Sequence, residues 1–101
     1  MHLVQILMPL FDNHGQKIEA ESFRSVRAEL VERFGGLTAH TRAPAEGLWA
    51  SQEGLNRDEI VILEVMVAEL DRAWWQALRG DLEHRLRQEL VVIRAYPIEL
   101  L

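Results

Sequence analysis

The pattern of apolar and polar positions divides the chain into six elements. Leu3-Val4-Gln5-Ile6-Leu7-Met8 is a short, nearly continuous apolar run ended by Pro9, the mark of a buried strand. Asp12-Asn13-His14-Gly15 is a turn cluster. From about Ala20 the period lengthens. Phe23, Val26, Leu30 and Phe34 recur at helical spacing while Arg24, Arg27, Glu29 and Arg33 fill other faces, and Gly35-Gly36 supplies the expected C-terminal stop.

Leu37 to Ala43 alternates again, with Leu37, Ala39, Thr41 and Ala43 on one side and Thr38, His40 and Arg42 on the other. Pro44, Gly47 and Gly54 then predict an irregular connection that also holds Leu48 and Trp49. Glu59 to Val67, rich in Val and Ile, is the strongest strand signal in the chain. A second helix is predicted from about Leu70 to Leu86, with Trp75, Leu78, Leu82 and Leu86 as its apolar stripe and Asp71 near its start. Glu89 to Tyr96 forms the last strand, which Pro97 ends or pushes to an edge.

Strand, helix, strand, strand, helix, strand is the ferredoxin-like order, an α+β sandwich. Right-handed crossovers then place the first and third strands centrally in one antiparallel sheet, with both helices on one face. Residues 1–101 fit one domain with a modest core.

Splitting each strand by side gives the more informative result. Val61, Leu63, Val65 and Val67, with Val4, Ile6 and Met8, suit the face under the helices. The opposite face holds Ile60, Ile62 and Met66 beside Glu64, Leu3 and Leu7 beside Gln5, and Leu90 and Val92 beside Arg94 and Tyr96. A water-facing set seldom carries so many large apolar residues, so this face calls for a partner. A homodimer through it is the expectation, since two-fold pairing of like surfaces is the commonest assembly.

The polar exceptions on that face are the candidate site: Gln5, Glu64 and Arg94 on neighbouring strands, joined by His40, Arg42 and Tyr96 if the second strand faces as its alternation suggests. Around an apolar floor they can bind a small polar or anionic molecule, with Glu64 or His40 as a general base. The plainer reading is structural: a Glu64–Arg94 pair bridged by Gln5 satisfies polar groups in an interface and sets its register.

Composition narrows the rest. A net charge of −5 argues against a nucleic-acid partner, which needs a basic stripe. The mixed signs on the second helix read as a solvated face, with no membrane surface indicated. Leu3 to Phe11, the longest uncharged apolar run, is too short to span a bilayer and lacks a signal peptide's basic flank, so a cytosolic location is expected. Cys is absent, which removes disulfides and thiol chemistry. His2, His14, His40 and His84 have no short ligand spacing, so no metal is expected, and Asp12-Asn13-His14 is more simply a solvated turn. Gly35-Gly36 follows a helix where a phosphate loop would precede one, and no nucleotide or nucleophile motif is present, so no cofactor is expected. Trp74 and Trp75 are adjacent, so only one can pack fully on the sheet. Trp49 is placed over one end of it.

Arg33-Phe34-Gly35-Gly36-Leu37-Thr38, Gly47-Leu48-Trp49 and Arg57-Asp58-Glu59-Ile60-Val61 together resemble a small bacterial family of uncharacterised function. In that family a helix ends in glycine, a "GLT" strand follows, and a "G-x-W" element precedes an "R-(D/E)" strand. Length and element order also resemble the dimeric α+β barrel superfamily. Its members include monooxygenases, isomerases, and binding or stress-related proteins. None of their catalytic motifs maps onto residues of this chain, so the resemblance implies the fold and leaves the activity open.

Overall fold

The computed structural model describes the backbone of residues 1–51 and 54–101, and the side chains of residues 1–41 and 59–101. In chain order the elements are β1 (His2–Pro9), α1 (Ala20–Phe34), β2 (Thr38–Ser51), β3 (Gly54–Val67), α2 (Arg72–Arg85) and β4 (Val92–Pro97). They build a 4-stranded sheet in the order β2-β3-β1-β4, with every neighbouring pair antiparallel. The first and third strands are therefore central, as right-handed connections require.

Alternation along β1 and β3 puts Val4, Ile6 and Met8 beside Val61, Leu63, Val65 and Val67 on one side, all buried. Both helices close over this side. α1 contributes Val26 and Leu30, and α2 contributes Trp75 and Leu82, with Leu86 just beyond its end. Burying a side chain of this size stabilises by roughly 1.5–3 kcal/mol, so this layer is the main source of stability.

The helix ends follow local chemistry. Gly35 takes a left-handed φ of 81° and returns its N–H to the Val31 carbonyl, stopping α1 where the glycine pair predicts. α2 begins two residues later than its apolar period suggests. Asp71 is its N-cap, and the carboxylate accepts the Trp74 N–H at 3.1 Å. Trp75 packs into the core at 5% exposure, while Trp74 flanks it, half-buried beneath the Arg33 guanidinium.

Three strand boundaries depart from expectation: the end of β2, the start of β3, which lies at Gly54 and not at Glu59, and the start of β4. β2 does not dissolve into a connection at Pro44. It pairs with β3 through Thr38–His40, shifts register between His40 and Ala45, and resumes as far as Ser51 opposite Gly54. Pro44 is accommodated because it falls in the irregular stretch of an edge strand, where no ladder hydrogen bond from its nitrogen is needed. β1 pairs with β3 only from His2 opposite Val67 to Pro9 opposite Ile60, so the hairpin runs on beyond the central strands. β4 starts at Val92, later than Glu89. Leu86 and Arg87 first finish α2, and the Val91 N–H is taken by the Glu83 carboxylate at 2.9 Å. The Trp49 side chain lies outside the described residues.

Candidate functional site

The sheet face away from the helices is organised in rows that cross the strands. One row is Tyr96, Leu3 and Met66; the next is Arg94, Gln5, Glu64 and Thr38; a third is Val92, Leu7, Ile62 and His40. A single polar row is thus held between two rows that are mainly apolar. Met66 is 54% exposed, Tyr96 44% and Val92 39%, so large apolar surface lies open on both sides of it.

Within the polar row the bonding has a fixed direction. Arg94 Nε donates to Gln5 Oε1 at 2.7 Å, and Gln5 Nε2 donates to Glu64 Oε1 at 2.7 Å. A guanidinium has no acceptor, so the amide must turn its oxygen to Arg94 and its nitrogen to Glu64. Glu64 in turn must offer a lone pair, which its ionised form does. Glu64 Oε2 lies 3.4 Å from His40 Nε2, an ion pair when the imidazole is protonated. The result is a chain of groups running Arg94–Gln5–Glu64–His40 across all four strands.

The sequence-predicted residues divide accordingly. Gln5, Glu64, Arg94 and His40 are brought together. Gln5 is buried and the Glu64 side chain is 20% exposed, whereas Arg94 and His40 are open to solvent. Glu64 and Arg94 do not touch; Gln5 bridges them. Tyr96 shares the face but belongs to the adjacent apolar row, opposite Leu3. Arg42 falls in the irregular part of β2, and its side chain lies outside the described residues. Thr38, directly opposite Glu64, was on the right face in the sequence but carried no signal that separated it from any strand threonine.

At one end of this face a cleft of about 310 Å3 opens between the C-terminal turn of α1 and the strands. Leu3, Met66, Thr38 and Glu64 line it from the sheet, and Phe34 and Leu37 from the helix end. Among the described residues its one charged group is the Glu64 carboxylate.

Asp12 is a further buried polar group, and its role is structural. It accepts the backbone N–H groups of His14 at 2.8 Å and Gln16 at 2.9 Å, and the Arg87 Nε at 2.9 Å. Those bonds, led by the one from Arg87, hold its carboxyl below the usual carboxylate range.

The path of the chain decides what it resembles. A SAM lyase from a phage, in complex with S-methyl-5'-thioadenosine, superposes over 94% of this chain and 79% of its own, with TM-score 0.61 and 18% identity. The divalent cation tolerance protein CutA1 of Thermus thermophilus superposes over 97% of this chain and 84% of its own, with TM-score 0.62 and 18% identity. The fold is ferredoxin-like. The phage SAM lyase in its apo state gives the same result, at TM-score 0.61 and 17% identity over 94% of this chain and 78% of that one. No family model matches the sequence, and no curated protein matches it significantly. At this identity the likeness is one of fold, and function must be argued from the site. Among the described residues no helix is long and apolar enough to cross a membrane.

Proposed function

We propose that this chain is a self-associating accessory or binding module, and that its helix-free sheet face pairs with the same face of a second copy. The observation that carries this reading is the polar row between exposed apolar rows. Met66, Tyr96 and Val92 supply apolar area that water does not favour, and the row supplies register.

The row also selects an orientation. It is cationic at the β4 end, at Arg94, and anionic on β3, at Glu64, with Gln5 of β1 midway. A two-fold axis lying along the strand direction over β1 reverses the strand order of the second copy. Arg94 of each protomer then stands over Glu64 of the other, and the guanidinium N–H groups not used by Gln5 meet a carboxylate. An axis across the strands would stack Arg94 on Arg94, which like-charge repulsion disfavours. Packed sheets lie about 10 Å apart, within the reach of an arginine.

Charge exchange tests this directly. Arg94→Glu alone and Glu64→Arg alone should each be monomeric under conditions where the parent chain dimerises, because each places like charges opposite one another twice. Mixing the two variants should restore a heterodimer, which analytical ultracentrifugation would resolve. A mixture that stays monomeric removes the Arg94–Glu64 pairing, and a parent chain monomeric at micromolar concentration removes the dimer.

A second reading has its own observation, the cleft of about 310 Å3 ending at Glu64. It suits a small polar ligand, and one neighbour of the same fold is described in complex with S-methyl-5'-thioadenosine. On this reading the protein is a cofactor-free enzyme or binder, isomerase- or monooxygenase-like, with Glu64 or His40 as base. A monomeric parent chain with the polar row intact would favour it.

A further inference from the structure

A second concavity, of about 420 Å3, lies on the opposite side of the sheet, between α2 and the strand pair β1–β4. It exists because the sheet narrows in side-chain volume there. Ala95 and Pro97 face the helices from β4 but are too small to reach α2, and both stay exposed. One stripe of α2 looks onto the gap: Arg72, Trp75, Gln76 and Arg79, spaced i, i+3, i+4 and i+7.

The chemistry of this lining is one-sided. Arg72 and Arg79 stand one above the other on the helix, with the Gln76 amide between them, and His2 from β1 and Arg94 from β4 complete the polar lining. Among the described residues the lining contains no carboxylate, in a chain whose net charge is −5. Neither Arg72 nor Arg79 is in an ion pair among those residues, while Arg85, on the same helix, is held by both Glu29 and Asp81. Asp71, the acid adjoining Arg72, is engaged by the Trp74 N–H and by Arg33. His2 Nδ1 has no hydrogen-bond partner among the described residues. The floor, by contrast, is apolar, made by Trp75, Val4, Ile93 and Ala95.

We infer that this cleft binds a small organic anion, a carboxylate or phosphate monoester with an apolar body, whose charged group is held by Arg72 and Arg79. Guanidinium forks match the paired oxygens of either group, and two of them raised over an apolar floor define a charged end and an uncharged end. The volume is that of a small-ligand site. The cleft opens on the helix side of the sheet and shares Arg94 with the polar row at the β4 edge, while Arg72 and Arg79 on α2 stay clear of the proposed pairing face.

Titration with phenyl phosphate and phenylacetate, followed by calorimetry and by the Trp75 indole N–H resonance, tests the assignment. Both probes should bind saturably in the millimolar range or tighter. Arg72→Gln and Arg79→Gln should each weaken binding about tenfold, and the pair together should abolish it. Both side chains are exposed, so these variants keep the fold, and Arg24→Gln on α1 should bind as the parent chain does. Absence of saturable binding, equal affinity in the arginine variants, or equal affinity for neutral benzyl alcohol would each overturn the anion site. Inorganic phosphate binding as tightly as phenyl phosphate would overturn the role of the apolar floor.

Discussion

Asp12 shows how much a single side chain can hold together. Its carboxylate closes the turn after β1 through His14 and Gln16 and reaches Arg87 beyond the end of α2. Arg87 has a left-handed φ of 54°, unusual for a residue with a long side chain, and the bonds to Asp12 and Glu19 keep it there. Because the folded state lowers the Asp12 pKa below its ordinary 3.8, its contribution is complete above that value. Acid first protonates the unfolded chain, so the contribution drains away as pH falls through the folded pKa. Asp12→Asn should therefore lower the urea midpoint at neutral pH, with the gap from the parent chain narrowing below about pH 4. Parallel curves down to about pH 2 would show that Arg87 and the turn do not depend on the charge. Gln5 is the matching case on the sheet. Its place on the sheet face away from the helices was legible from alternation, but the direction of its amide followed only once Arg94 and Glu64 stood on either side.

Elements were legible in proportion to how local their causes are. α1 is set by an apolar period and a glycine stop, and both appear in the chain as written. Gly35→Ala should cost about 1 kcal/mol in chemical denaturation. An added Cβ meets nothing within 4 Å, so the loss is conformational and not a clash. A change near zero would mean that the helix end relaxes out of the left-handed conformation. α2 starts at Arg72 and not at Leu70 because Asp71 caps it, a boundary that periodicity overruns and cap chemistry explains. β2 was legible as far as Ala43. Pro44 reads as a breaker in an isolated segment, yet an edge strand with a register shift absorbs it. β4 was placed too early, because Glu89 and Leu90 continue the strand-like composition while Glu83 holds the Val91 N–H in a connection.

At the scale of the molecule, the sheet has one face that makes a core and one that remains apolar without being covered. Met66→Lys probes the difference. Met66 is 54% exposed, so the monomer's stability should change by no more than about 0.5 kcal/mol, while the proposed dimer should be lost. Thermal unfolding and ultracentrifugation read the two effects separately, and an intact Met66→Lys dimer would place the interface elsewhere. What the sequence determined by itself was the order of elements, the central position of β1 and β3, and the two-sided apolar character of the sheet. These depend on period, turn chemistry and connection handedness, which are properties of adjacent residues. What only the tertiary structure decided was which polar groups meet. Glu64, Gln5 and Arg94 are dozens of positions apart, and a register slip of one residue would have put them on opposite faces. The cleft beneath α2 is of the same kind. Arg72 and Arg79 look like part of a solvated, mixed-charge helix until β4 is seen to leave them facing Ala95 and Pro97 with nothing between.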